Sequence, residues 1–231
     1  MNALVDPNFA NWLFLLKRLR HAGCKIEDLP KIDLVLITHA HFDHFHRPSI
    51  RKLDGHHFRT AVVPWGMGDL ALGLGFGRIV ELRWWESFEH RGWKVTLTPS
   101  QHWGARVLHD KHRGFGGYLI EHQGRSIYHA GDSAYNPCFK EIGARTRPEV
   151  ALLPIGAYYP DSFRRVHMGP DEALTVFQEL QAQWLVPMHY GTFKLSFEHV
   201  DEPLRWLREL TATAGLSHRL RVLEEGVPEL F

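Results

Sequence analysis

The sequence predicts an α/β (α+β) fold in which sheets are covered by helices. Three observations predict it. Nine short apolar runs, most bounded by Gly, Pro or Asp, have the length and β-branched character of strands. Four longer stretches with helical spacing are interspersed with them. No repeat, low-complexity stretch or linker interrupts the chain, so residues 1–231 read as a single domain.

The elements follow in order. Phe9, Trp12, Leu13, Leu16 and Leu19/Arg20 fall at helical spacing, so Phe9–Arg20 is expected to be a helix burying its stripe on a sheet or a dimer partner. The alternative is a segment lying on a membrane surface and admitting a lipid. Strands are expected at Asp33–Thr38, Thr60–Val63, Arg78–Leu82, Trp93–Thr98, Gly117–Glu121, Ser126–His129, Val150–Ile155, Trp184–Met188 and Leu220–Leu223. Glu121 to Arg125 reads as the turn of a hairpin. Further helices are expected at Arg47–Leu53, Asp171–Ala182 and Glu202–Ala214. The third helix has acids in its first turn after Gly169-Pro170, and the last stops at Gly215.

Composition excludes several classes. Lys and Arg number 27 against 26 Asp and Glu, a formal net charge of +1 that leaves no basic footprint for nucleic acid. No apolar run reaches the roughly 18–20 residues of a membrane span. Met1 to Pro7 does not read as a secretory leader. Cys24 and Cys138 are too few and too far apart for a disulfide framework, so reduced cysteines and a cytoplasmic setting are expected.

The chemistry is concentrated in Thr38-His39-Ala40-His41-Phe42-Asp43-His44, directly after an apolar strand-like run. Imidazole and carboxylate together form the donor set for zinc and similar divalent ions. Residues alternating along such a segment point different ways and can serve two neighbouring ions. Further ligands belong just after other strands, where His102, Asp132 and His189 stand. A carboxylate bridges two cations whereas an imidazole binds one, so Asp132 is the expected bridge. One site is then His39, His41, His102 and Asp132; the other is Asp43, His44, His189 and Asp132. Two such ions, expected to be Zn2+ with Mn2+ or Fe2+ sharing the donor set, activate a water between them for hydrolysis. His46, His56, His57, His90, His109 and His112 are left as surface residues or residues backing the site. His129 is read as structural.

These ligands, together with Thr98-Pro99-Ser100-Gln101-His102-Trp103, Ala130-Gly131-Asp132-Ser133, Leu153-Pro154-Ile155-Gly156-Ala157-Tyr158 and His189-Tyr190-Gly191-Thr192-Phe193, resemble the metallo-β-lactamase fold superfamily. Within it they look like the branch of N-acylphosphatidylethanolamine-hydrolysing phospholipase D, with the ascorbate-6-phosphate lactonase group as a cousin. The resemblance implies an αββα sandwich. It also implies that this chain, which starts almost at Asp6-Pro7, lacks the first N-terminal strands; a partner such as a second copy would then cover the open sheet edge. It places His167 near the reacting group as a substrate contact or proton donor. With Asp132 setting the metal spacing and Asp43 orienting the nucleophile, Asp43, Asp132 and His167 are the expected catalytic residues. The implied substrate is a phosphodiester, such as an N-acyl phospholipid, met by peripheral contact with a membrane. A sugar-phosphate lactone is the alternative substrate, and a metal-binding module with little catalysis the alternative class.

Overall fold

The computed structural model describes residues 1–53, 59–107 and 109–231. Strand periodicity builds its core. In β4 (Leu34–Leu36) and the residue after it, Leu34 and Leu36 face one way and Val35 and Ile37 the other, all of them buried. Leu34 and Leu36 meet Val95, Leu97 and Tyr118 of a second sheet, while Val35 and Ile37 meet Ile50, Met67 and Leu74 on the outer side. Both faces are covered, which is why these strands read as continuous apolar runs.

The first sheet has the order β1 (Ala3–Val5), β4, β5 (Thr60–Pro64), β6 (Arg78–Leu82), all parallel. The second runs β12 (Trp184–Met188), β11 (Val150–Pro154), β10 (Arg125–His129), β9 (Gly117–His122), β8 (Trp93–Thr98), β7 (Ser87–His90). Helices α1 (Arg47–Arg51) and α2 (Gly68–Ala71) lie outside the first sheet, and α3 (Cys138–Thr146), α4 (Pro170–Leu180) and α5 (Glu202–Thr213) outside the second. The result is the expected helix–sheet–sheet–helix sandwich. The hairpin expected at Glu121–Arg125 is present, turning on Gln123 and Gly124 with φ of 49° and 79°, the left-handed pair of a type I′ turn.

Two expectations are corrected. Phe9–Arg20 is not a helix. Its residues form a two-stranded hairpin, β2 (Trp12–Leu13) and β3 (Leu16–Lys17). The side chain of Asn8 accepts from Ala10 N, and the Arg18 guanidinium donates to Ala10 O and Asn8 O, so side chains take the backbone groups a helix would use. Leu220–Leu223 gives only a single bridge, Leu185 to Leu220, at the edge of β12. β1, β7, α2 and α3 were not anticipated.

Tyr118 ties the two sheets together. Its buried hydroxyl lies 2.9 Å from Ile37 O and 3.1 Å from Val62 O, so a side chain from β9 donates to the main chain of the opposite sheet at the root of the histidine loop. Tyr118→Phe is expected to lower stability by about 1–2 kcal/mol. Urea denaturation should show an earlier midpoint at unchanged slope.

Candidate metal centre

The histidine loop leaves the end of β4 and turns sharply, with Phe45 N donating to His41 O. Arg106 clamps the turn by donating to Ala40 O and Phe45 O. The other candidate ligands arrive from the second sheet: His102 after β8, Asp132 after β10 and His189 after β12. Gly131 brings Asp132 in. Its φ is +64°, and a Cβ there would stand 2.8 Å from Gly116 O and 3.1 Å from Thr38 Cβ. His189 holds φ +56° without being glycine, a strained conformation of the kind that surrounding structure must over-determine.

All seven predicted ligand residues are brought together. His39, His41 and His102 offer nitrogens that lie within 4.8 Å of one another, and so do the ligand atoms of Asp43, His44, Asp132 and His189. His41 Nδ1 is 2.9 Å from His39 Nε2 and 3.2 Å from His102 Nε2. Asp43 Oδ2 is 3.4 Å from His44 Nε2 and 3.6 Å from His189 Nε2. His167 Nδ1 stands 3.8 Å from Asp132 Oδ2.

For His39, His44 and His102 the far side of the ring decides which nitrogen faces inward. Asp6 accepts from Thr38 N at 2.8 Å, from the Thr38 hydroxyl at 2.6 Å and from His44 Nδ1 at 2.7 Å. The Thr38 hydroxyl has one proton and gives it to the carboxylate, so at 2.9 Å it accepts from His39 Nδ1–H. His102 Nδ1–H donates to Val166 O at 2.8 Å. Each of these rings therefore turns its Nε2 into the cluster with the tautomer assigned, the outer-partner pattern of metal-binding histidines. Asp6 is the functional residue that sequence reading missed; only the Asp-Pro dipeptide marked it.

Protonation divides the centre into two halves. Burial pushes the imidazoles of His41 and His102 down, to about 4 and about 3, and holds His39 well below its usual value as well. Those rings are neutral, the form that binds a cation. Burial also acts on His44, but Asp132, Asp43 and Asp6 outweigh it and lift its pKa well above the ordinary imidazole value; Asp132 and Asp43 likewise raise His189. The donor set fits a pair of divalent ions. His41 Nε2 and Asp132 Oδ1 are buried without a hydrogen-bond partner, and His44 Nε2 and His189 Nε2 face only the Asp132 and Asp43 carboxylates at 3.2–3.6 Å, a costly arrangement unless a cation offsets it.

Other expectations fall in place or outside it. His46 caps α1 by accepting from Ser49 N. His129 accepts from Gly131 N, a structural role beside the site. His109 and His112 are exposed, and His56 and His57 lie outside the described residues. Cys24 and Cys138 are free. No helix among the described residues is long and apolar enough to cross a membrane.

A two-layer sandwich with a histidine–carboxylate cluster at the strand ends of both sheets defines a metallohydrolase class. The chain matches the family described as the beta-lactamase superfamily domain over residues 1–190. It is 31% identical to the mitochondrial N-acyl-phosphatidylethanolamine-hydrolyzing phospholipase D of Saccharomyces cerevisiae, over an alignment covering 100% of this chain and 52% of that protein. It is 33% identical to a metal-dependent hydrolase of Methanopyrus kandleri, with 98% of this chain and 90% of that protein covered. Among solved structures, Igni18, a metallo hydrolase from the archaeon Ignicoccus hospitalis, superposes with a TM-score of 0.67 at 28% identity, covering 85% of this chain and 78% of that one. The chain belongs to the β-lactamase superfamily, among the metal-dependent hydrolases of the metallo-β-lactamase fold. It spans about half the length of the yeast relative.

Asp6→Asn is expected to weaken metal affinity about 10–100-fold, since the carboxylate acts through His44 and Thr38. Competition with a chromogenic chelator measures this, and unchanged affinity would show that the ring needs no such partner. The carboxylates raise the pKa of His44 and His189, so a cation there competes with protons at higher pH, and affinity at the Asp43/His44/His189 group is expected to fall as pH drops before that of the three-histidine group. Calorimetry in buffers of different ionisation enthalpy should detect the released protons.

Proposed function

We propose that the chain is a two-metal phosphodiesterase acting on lipid phosphodiesters such as N-acyl phospholipids. The observation that carries this reading is the convergence of both ligand groups on one carboxylate oxygen. Asp132 Oδ2 lies 3.2 Å from His44 Nε2 and 3.3 Å from His189 Nε2, and 3.8 and 3.9 Å from the Nε2 atoms of His39 and His102. In this reading His39, His41, His102 and Asp132 hold one ion, and Asp43, His44, His189 and Asp132 the other. Zinc suits the donor set, which manganese and iron(II) share. Bound there, two divalent ions supply Lewis acidity and bring the pKa of a water from 15.7 to about 7.

The chain's own groups supply the rest. Asp132 sets the spacing of the two ligand groups, and Asp43 aligns His44 and His189 from the side. Burial pushes His167 down to about 4, so at neutral pH it is an uncharged ring. Its Nδ1 is buried without a partner, and it serves as a hydrogen-bond donor to a phosphoryl oxygen rather than as a stored proton. A cavity of about 270 Å³ adjoins Asp43, His44, Asp132 and His189 and is walled by Arg18, Met188, Phe193 and Leu195. A guanidinium beside apolar walls suits a phosphate attached to an acyl chain. The name of the yeast relative supports the same substrate class.

Elemental analysis, paired with turnover of a chromogenic phosphodiester and of N-acyl phosphatidylethanolamine micelles, tests the reading. About two metals per chain and chelator-sensitive turnover are expected. Asp132→Asn should lose metal and activity together, and full loading with normal turnover in that variant would remove the bridging assignment. His167→Ala should lower kcat about 10²–10³-fold at unchanged metal content. A drop in metal content instead would make His167 a ligand.

A further inference from the structure

The hairpin β2–β3 presents apolar side chains to solvent. Leu15 at its turn is 93% exposed, Phe14 71% and Trp12 57%, and Leu16 and Leu19 are also exposed. Only Leu13 turns inward. A cluster of this size left in water marks an interaction surface. Its base is held firmly. Arg18 donates to Asn8 O and Ala10 O and lies over the Phe193 ring at 5.0 Å, and Leu19 N donates to Thr192 O. The apolar tip is therefore projected from an anchored support.

The tip is continuous with the metal centre. The Phe14 ring packs edge-on against Phe42 at 4.7 Å, and Phe42 belongs to the histidine loop. The Arg106 guanidinium lies over the Phe42 ring at 3.9 Å and lines a groove of about 640 Å³ with Trp103, Val107, Lys111 and Phe115. Trp103 and Val107 are themselves exposed, and Trp103 packs on His41 at 4.5 Å and on His102 at 4.3 Å. A strip of apolar surface thus runs from Leu15 to the ligand cluster. Its charged companions are mainly cationic: Lys17 and Arg18 on the hairpin, Arg106 and Lys111 at the groove, with Asp110 beside them paired to Arg113.

From this we infer that the Trp12–Lys17 hairpin and the groove lined by Trp103, Arg106, Val107 and Lys111 form a docking surface for a lipid–water interface carrying anionic headgroups. Aromatic and aliphatic side chains at the tip enter the boundary region, the lysines meet headgroup phosphates, and a lipid withdrawn along the strip arrives at the metal centre. The inference deepens the lipid-phosphodiesterase reading and rests on it for the substrate alone; the docking needs no catalysis.

Vesicle flotation with the full chain, metal-free and metal-loaded, tests it. The protein is expected to float with phosphatidylcholine vesicles containing phosphatidylglycerol, and less with phosphatidylcholine alone or at high salt. The double variant Phe14→Ser/Leu15→Ser should partition at least about tenfold more weakly. It should hydrolyse a soluble chromogenic phosphodiester as the parent does, which controls for folding. Lys17→Glu, a change at an exposed position, should weaken binding to the anionic vesicles only. Failure of the parent to float on any vesicle, or equal flotation of the double variant, overturns the docking surface. A parent dimer dissociated by the double variant, seen by light scattering, overturns it in favour of a second copy of the chain. Flotation without any phosphodiester turnover leaves the docking standing and sinks the catalytic reading instead.

Discussion

The Asp6 carboxylate is the interaction on which the centre depends. It stands at the end of the edge strand β1 and binds the main chain and hydroxyl of Thr38 and the ring of His44. Through the Thr38 hydroxyl it also assigns the tautomer of His39. One part-buried acid therefore sets the direction of a ring in each of the two candidate ligand groups. Asp6 itself sits at φ 47°, a conformation few side chains adopt, held by the sheet on one side and the loop it organises on the other.

The sandwich places the candidate ligands, and they mark one edge of it. The first sheet contributes four of them on one continuous loop, and the second contributes three from the ends of separate strands. Tyr118 and the Gly116 N to Thr38 O hydrogen bond join the sheets at that edge, so the two contributions are registered against each other by buried polar contacts. In such surroundings the carboxylates and imidazoles shift one another strongly: burial wins at His39, His41 and His102 although Asp132 opposes it, and the carboxylates win at His44 and His189.

Much of this was legible in the sequence, and for identifiable reasons. Metal chemistry demands dense imidazole and carboxylate at strand ends, and that demand is visible without coordinates at His39, His41, Asp43, His44, His102, Asp132 and His189. Apolar runs buried on both faces revealed β4, β5 and β11. What stayed hidden depends on contacts between distant residues. Asp6 lies 32 residues from Thr38 and 38 from His44, and no local pattern announces its role. The stripe from Phe9 to Leu19 has helical spacing, but spacing does not register the Arg18 guanidinium reaching back to Ala10 and Asn8. The helix α3 was hidden by Gly143 in its middle. That glycine is explained by close packing, since a Cβ there would fall 2.2 Å from Glu179 O of the neighbouring helix α4.

The division of ligands between the two sheets has a thermodynamic consequence. A cation held by residues of both sheets is bound only when the sheets are docked, because neither sheet alone carries a complete set. Binding free energy is then also free energy of docking, and the concentration of free metal becomes a variable of the folding equilibrium. With a cation bound there, its removal would cost the chain a cross-link between its layers as well as a reagent. The cavity between the layers at that edge would be the first place where the fold opens.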